Sequence, residues 1–239
     1  MKIYLLILIL LIILYLIVFL CKKYYKTVEP FISYNKKLIK TKNEIYKIIL
    51  KRVMKVCNEL DIPCFLSSGT CLGYFRDNDF IEYDYDIDVG IFAKDYNPLI
   101  IKKLEEVGFN FYRKLGNIKT GLEISFRLVL PEKYKDYEGF KLLQKWAKLD
   151  IFTHHLEKDE DSNLCYFWTS YKWPTFKERI KYRVPYFTLQ PIKFKGSDMY
   201  VPFPTDSYLR NHYGDDWQTP KRPFKEYYYA TSPVSIVKK

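Results

Sequence analysis

The sequence has 239 residues, 48% of them hydrophobic, and a formal net charge of +11. This length is enough for one sizeable folded domain and leaves no obvious second one. The charge favours an anionic partner, but the lysines are dispersed rather than gathered into one run, which argues against nucleic acid. The five cysteines form no CxxC pair and no Cys/His spacing suited to zinc, which excludes a zinc module of that kind.

The N-terminus carries an almost unbroken apolar run from Ile3 to Leu20, without a charge. A helix of this length can just cross a hydrocarbon core, and no small-residue cleavage site follows at Cys21. We therefore predict an uncleaved transmembrane signal-anchor over residues 1–23 and a stem over residues 24–40. The lysines after the run outnumber the one before it, so the positive-inside rule keeps the C-terminal bulk cytoplasmic.

The predicted folded domain, residues 41–239, opens on a helix. Thr41-Lys42-Asn43-Glu44 has the form of a capping box, and apolar residues follow at helical spacing as far as Leu60. Pro63 predicts that the helix ends near Asp61. We expect this helix to serve packing.

A short predicted strand leads into a turn of small residues, Ser67-Ser68-Gly69-Thr70, and then into a helix that ends near Arg76. Backbone N–H groups exposed at a turn that enters a helix can cradle phosphate. Ser68, Gly69 and Thr70 are therefore candidate substrate-binding residues. Arg76 either clamps the phosphate with two hydrogen bonds or pairs with a neighbouring aspartate, and we favour the clamp.

Three aspartates, Asp84, Asp86 and Asp88, stand at every second position of a predicted strand, so they share one face and apolar residues share the other. Alternate strand residues lie about 6.5 to 7 Å apart, so neighbouring carboxylates repel by roughly 2 to 3 kcal/mol at an effective dielectric near 20. A hard cation such as Mg²⁺ removes this cost, whereas on a solvated edge strand water reduces it to well under about 1 kcal/mol. The aspartates alone leave these interpretations even, and the small-residue turn favours the metal.

Two further acidic residues lie in predicted strands. Gly121 to Leu130 alternates between apolar and polar residues, with Glu123 on the polar face. Glu123 could reach the active site or could equally be a surface glutamate. Asp150 stands in the apolar run from Ala147 to Thr153, where a charged aspartate costs several kcal/mol to bury unless it is paired or bound to metal. Asp150 is therefore a candidate third carboxylate, with a strand-end turn as its alternative.

The remaining elements predict no further ligands. His154 and His155 come directly after the apolar run that ends at Thr153, and we interpret them as surface or hydrogen-bonding residues rather than metal ligands. Lys195 to Asp198 is flanked by two strand-like segments and predicts a hairpin turn. Pro204 to His212 predicts a short helix that Gly214 ends.

Five segments occur in the order SSGTCLGYFR, YDIDVGIF, LEISF, KLDIF and NHYGDDW. They resemble the LicD/fukutin family, and most closely its fukutin-like members. The resemblance covers nearly all of the chain after about Pro30. It implies an α/β (α+β) nucleotidyltransferase-like fold, a mixed sheet flanked by helices, to which the sequence adds one N-terminal transmembrane helix.

The same resemblance implies an activity, which is the transfer of a phospho-alcohol from a CDP-activated donor to a glycan hydroxyl, with release of CMP. For fukutin-like members the transferred group is ribitol 5-phosphate. The expected cofactor is Mg²⁺ or Mn²⁺, held by Asp86, Asp88 and Asp150 as metal ligands and catalytic residues. The expected substrate-binding residues are Ser68, Gly69, Thr70, Arg76 and Glu123. Asp84 lies outside the family's metal-binding pair of aspartates, and we expect it to contact the ligand residues rather than the metal itself.

The expected partners are a CDP-alcohol donor, with CDP-ribitol favoured, a glycan or glycoprotein acceptor and the membrane, with no nucleic acid. The resemblance places the domain in the Golgi lumen, whereas the flanking lysines favour the opposite topology. Two alternatives stay open. One is a transferase for phosphocholine or another CDP-alcohol, and the other is a catalytically silent, membrane-tethered glycan-binding or scaffold protein.

Overall fold

The computed structural model describes Tyr15 and residues 36–171, 178–220 and 233–238, the last of these by their backbone alone. The chain divides into two compact units, Met1–Thr41 and Lys42–Lys239. The sheet and the site described below lie in the second unit.

The described residues form ten strands and five α-helices. The strands are β1 (Cys64–Leu66), β2 (Asp86–Phe92), β3 (Phe109–Asn117), β4 (Gly121–Leu128), β5 (Lys148–Lys158), β6 (Leu164–Tyr171), β7 (Glu178–Pro185), β8 (Thr188–Phe194), β9 (Ser197–Phe203) and β10 (Pro233–Lys238). The helices are α1 (36–59), α2 (Ser68–Leu72), α3 (Leu99–Glu106), α4 (Phe140–Trp146) and α5 (Thr205–Tyr213), and a π-helical turn, Gly73–Asp77, continues α2.

Strand β5 lies at the centre of a mixed eight-stranded sheet. Its first half pairs in parallel with β2 and antiparallel with β4, and β1 and β3 extend the sheet beyond these two. Its second half pairs with β6, and β7 and β10 follow. Strands β8 and β9 form a separate hairpin. A mixed sheet with helices against it is the architecture that the sequence predicted.

Strand β2 shows why the sequence folds this way. Ile87, Val89 and Ile91 are fully buried on one face, as the alternation predicted. Gly90 packs against the ring of Phe65, and any Cβ at this position would collide with that ring. The apolar face is thus fixed against the core, and Gly90 packs on the opposite face, which also carries the acidic residues of the strand.

Two predictions about the N-terminal region need correction. The predicted fold class included a transmembrane helix, but within the part of the chain that the structure describes no helix is both long and apolar enough to cross a membrane. The predicted anchor, residues 1–23, falls outside the described residues except for Tyr15. Helix α1 is already under way at residue 36, so Thr41 lies inside it and is not its N-cap.

Candidate functional site

Three carboxylates from two neighbouring strands converge on one face of the sheet. Asp86 and Asp88 lie on β2, Asp150 lies on β5, and the parallel register places Asp88 directly beside Asp150. One carboxylate oxygen of each residue lies within 4.8 Å of the others. The structure therefore brings together the three residues that the sequence predicted as metal ligands, which we call the carboxylate cluster.

Lys148 contacts the carboxylate cluster from the face of β5 that also carries Asp150. Its Nζ lies 2.8 Å from Oδ2 of Asp86 and 2.6 Å from Oδ2 of Asp150. Asp86 is its register partner on β2, and Asp150 is two residues further along β5. One ammonium group therefore neutralises part of the negative charge of these carboxylates, which would otherwise repel one another.

The pKa values show how unevenly this charge is distributed. Burial raises the pKa of Asp88 well above its ordinary value, and the charges of Asp86, Asp84 and Asp150 raise it further. Burial also raises the pKa of Asp86, but Lys148, together with Asp84 and Lys42, lowers it below its ordinary value. The pKa of Asp150 stays raised because burial and the charge of Asp86 outweigh the effect of Lys148. The cluster is short of positive charge, most of all at Asp88.

The donor set suits a hard divalent cation. Three carboxylates offer oxygen ligands only, which Mg²⁺ and Mn²⁺ prefer. In addition, Oδ1 of Asp150 is buried and has no well-formed hydrogen bond from any described residue. A buried acceptor without a donor costs free energy, and a cation would remove this cost. The residues present fit a metal ion.

Asp84 lies outside β2, contrary to the predicted alternation of three aspartates along one strand. Its backbone carbonyl accepts hydrogen bonds from Nζ of Lys42, at 3.1 Å, and from the hydroxyl of Tyr46, at 3.0 Å. Lys42 also donates to the carbonyls of Ile81 and Glu82. Helix α1 thus holds the loop before β2, and burial lowers the pKa of Lys42 to about 8.

The turn at residues 67–70 contacts the carboxylate cluster through Asp88. The backbone N–H of Gly69 donates to Oδ2 of Asp88 at 3.2 Å, and the N–H of Asp88 donates to Oγ1 of Thr70 at 2.8 Å. Ser68 takes the left-handed conformation, with φ of 41°, and its N–H donates to the hydroxyl of Tyr208 at 3.3 Å. In this geometry the turn orients a carboxylate, and phosphate binding by Ser68, Gly69 and Thr70 stays a prediction.

Gly69→Ala tests the fit between this turn and the acidic loop. A Cβ at Gly69 would collide with Oδ2 of Asp84 and lie 3.5 Å from Oδ2 of Asp88. We expect the variant to fold but to bind Mn²⁺ about tenfold more weakly, because the carboxylate of Asp84, whose charge acts on Asp88, must move. Calorimetric titration with Mn²⁺ measures this. An affinity equal to that of the wild type would show that the close approach at Gly69 has no part in the site.

Arg76 and Glu123 have protein partners. Nε and an Nη of Arg76 donate to the two carboxylate oxygens of Asp77, each at 2.8 Å, which is the ion pair that the sequence left as the alternative to a phosphate clamp. Glu123 is buried and accepts from Arg113 at 2.6 Å and from the hydroxyl of Ser170 at 3.2 Å. Glu123 is thus no surface residue, and its contact to substrate stays a prediction.

The pKa of Glu123 is raised to about 7 from an ordinary value of 4.5, first by burial and second by the charge of Asp150. The folded state therefore binds this proton more tightly than the unfolded state does. The resulting stabilisation is complete below about pH 4.5 and is lost as the pH rises through about 7.

Glu123→Gln removes this titration and keeps the shape of the side chain. We expect the free energy of unfolding of the wild type, relative to the variant, to fall on the order of 3 kcal/mol between those pH values. Urea denaturation across this range measures it. A constant difference between the two proteins would contradict the raised pKa of Glu123.

A row of polar residues runs across the sheet from the carboxylate cluster. Register pairs Asp150 with Ser125 on β4, and Ser125 with Arg113 on β3. The guanidinium of Arg113 donates to the Ser125 hydroxyl at 3.4 Å as well as to Glu123. A cation fixed by Glu123 thus stands in the same row as Asp150, one strand beyond Ser125, where it could attract an anionic substrate.

A known family matches the part of the chain that contains the carboxylate cluster. The sequence model described as LicD/FKTN/FKRP, nucleotidyltransferase domain, matches residues 61–204. The chain belongs to this family. All three residues of the carboxylate cluster lie inside the matched segment of the LicD/FKTN/FKRP domain.

Curated relatives point the same way. The ribitol-5-phosphate transferase FKTN of Mus musculus is 33% identical over 190 residues, which are 80% of this chain and 36% of that protein. FKTN of Homo sapiens is 32% identical over the same shares. The uncharacterized protein RP689 of Rickettsia prowazekii is 33% identical over 117 residues, 45% of this chain and 43% of that protein. The chain thus spans 36% of the length of the FKTN relatives.

Sequence reasoning missed three residues that shape this site. Lys148 stands two positions before Asp150, and this spacing alone places both on one face of a strand. Arg113 carried no signal, because the pairing of β3 with β4 that brings it to Glu123 is a tertiary contact. Lys42 was interpreted as part of a capping box, although its spacing from Tyr46 places both on one face of a helix.

Proposed function

We propose that this chain is a metal-dependent transferase that moves a phospho-alcohol from a CDP-activated donor to a glycan hydroxyl and releases CMP. Ribitol 5-phosphate is the favoured group, because the FKTN relatives carry this activity in their names. The observation that carries the proposal is the carboxylate cluster, with one oxygen from each of Asp86, Asp88 and Asp150 within 4.8 Å of the others. A Golgi location belongs to the proposal through the family resemblance.

The roles of the protein's own residues follow from their contacts. Asp86, Asp88 and Asp150 would hold one or two Mg²⁺ or Mn²⁺ ions. Such a cation, when bound, neutralises charge on a diphosphate and on its leaving group. Lys148 balances the carboxylates that face it, and Gly69 orients Asp88.

Substrate contacts are the next part of the proposal. Arg113 is held by Glu123 in the row of the carboxylate cluster, and we assign it to the donor phosphates. A guanidinium that a buried carboxylate already orients loses less side-chain freedom when it binds phosphate. Ser68, Gly69 and Thr70 stay candidates for the same group, and Arg76 would have to leave Asp77 to join them.

The test is CMP release by the full chain with Mn²⁺ and, in turn, CDP-ribitol, CDP-glycerol and CDP-choline. Release from CDP-ribitol that EDTA abolishes is the expected result. Release from CDP-choline alone would replace the favoured donor with that of the phosphocholine alternative. If none of the donors yields CMP and the chain binds no Mn²⁺, the transferase proposal fails and the silent scaffold replaces it.

A further inference from the structure

A cavity that the carboxylate cluster does not line is lined by lysines from three elements. It has a volume of about 280 Å³. Lys47 and Lys51 come from α1, Lys133 comes from the short 3-10 turn at residues 132–134, and Lys195 comes from the turn between β8 and β9. No residue of this lysine pocket belongs to the carboxylate cluster.

The charge of the lysine pocket is poorly balanced. Glu44 is the one acidic residue among its described lining residues, and its carboxylate pairs with Lys47 at 2.8 Å. Lys51 and Lys133 have no carboxylate within ion-pair distance in the described part of the chain. Lys47 and Lys51 are one helical turn apart, where like charges destabilise a helix. An anion in the pocket would relieve this repulsion.

Two lysines of the pocket are already held in position. Nζ of Lys195 lies 2.8 Å from Oδ1 of Asp79 and 5.7 Å from the centre of the Phe194 ring. Nζ of Lys133 lies 5.0 Å from the centre of the Tyr134 ring, and that ring is buried. Side chains that are held before binding lose less entropy when a ligand arrives. The pocket is therefore better prepared than a set of mobile surface lysines.

The size and the donors of the pocket favour a phosphate ester. Typical drug-sized sites measure about 300 to 1,000 Å³, so 280 Å³ suits a phosphate on a small polyol or sugar. A phosphate monoester carries close to two negative charges and three acceptor oxygens, which several ammonium groups can share. Gly196 leaves its side of the pocket open, since a Cβ there would meet nothing within 4 Å.

We propose that the lysine pocket is an anion site, separate from the carboxylate cluster, that binds the phosphate group of a small polyol or sugar phosphate. The proposal goes beyond the transferase activity and does not depend on it. It also accounts for part of the net charge of +11, because an anion bound by these lysines gives that positive charge a partner outside the carboxylate cluster.

The probe is glycerol 3-phosphate, titrated calorimetrically into the full chain in EDTA so that divalent cations do not contribute. The test variant is Lys51→Ala/Lys133→Ala. The matched control is Lys102→Ala/Lys119→Ala, which removes the same charge from exposed lysines outside the pocket. We expect the test variant to bind about tenfold more weakly, or not at all, and the control to stay within about twofold of the wild type.

Three results would overturn the proposal. They are no binding to the wild type, equal weakening in both variants, and binding of neutral glycerol with the affinity of glycerol 3-phosphate. A second arm measures co-sedimentation with phosphatidylcholine vesicles that contain phosphatidylserine. If the protein does not bind glycerol 3-phosphate but binds these vesicles only when Lys51 and Lys133 are present, the proposed ligand would be a lipid headgroup instead of a soluble phosphate.

CMP release from the best donor separates this proposal from the transferase. We expect the Lys51→Ala/Lys133→Ala variant to release CMP at the rate of the wild type. A loss of both CMP release and phosphate binding would show that the pocket belongs to the donor site and would overturn its independence. A wild type that binds glycerol 3-phosphate but neither releases CMP from any donor nor binds Mn²⁺ would contradict the transferase and support the anion site.

Discussion

Asp88→Asn should lower CMP release from the favoured donor by about a thousandfold or more while the protein stays folded. Asn keeps the size of the side chain and can still accept from the N–H of Gly69, so the turn at residues 67–70 keeps its contact. It removes the charge from the central member of the carboxylate cluster, next to Asp150. A thousandfold corresponds to about 4 kcal/mol of transition-state stabilisation, within the range for charge stabilisation in an active site.

The variant should lose no stability without metal, because the pKa of Asp88 is raised by burial and by its acidic neighbours. A neutral side chain at this position relieves repulsion rather than creating it. The measurements are CMP release, the affinity for Mn²⁺ and urea denaturation. Asp136→Asn, which makes the same chemical change at an exposed position, is the control. A folded Asp88→Asn protein with full activity would show that the carboxylate cluster is not the catalytic centre.

The sequence could predict the carboxylate cluster because two simple rules act there. Strand periodicity places Asp86 and Asp88 on one face, and the cost of a buried charge singles out Asp150 in its apolar run. Both rules concern local sequence, and neither needs the partner strand. Neither rule predicts the parallel pairing that brings Asp88 to Asp150, which is visible in the structure alone.

The predicted alternation failed at Asp84, where a tertiary contact overrides the local pattern. Asp84 continues the spacing of Asp86 and Asp88. However, Nζ of Lys42 in α1 donates a hydrogen bond to the backbone carbonyl of Asp84, and β2 begins only two residues later. No periodicity encodes this competition for the carbonyl, since it depends on which partner is nearest in the folded chain. Arg76 pairs with the adjacent Asp77, the alternative that the sequence offered, and its contact to phosphate stays a prediction.

Removing Lys148 should destabilise the protein most when no divalent cation is present. Its Nζ lies 2.8 Å from Asp86 and 2.6 Å from Asp150, and both carboxylates raise the pKa of Lys148 although burial lowers it. Lys148→Met keeps the apolar stem and leaves these carboxylates without their cation. Breaking a buried ion pair from one side typically costs about 3 to 5 kcal/mol, and we expect a loss of this size in EDTA.

Mn²⁺ should restore much of the stability that Lys148→Met loses, because a cation bound by Asp86 and Asp150 supplies the positive charge that the lysine no longer provides. The measurement is urea denaturation of the wild type and the variant, each in EDTA and in Mn²⁺. Lys145→Met, an exposed lysine on α4, is the control and should change the free energy of unfolding by less than about 0.5 kcal/mol in either buffer. An equal loss for Lys148→Met in both buffers would mean that no cation binds between these carboxylates, and Lys148 would then be their permanent counter-ion.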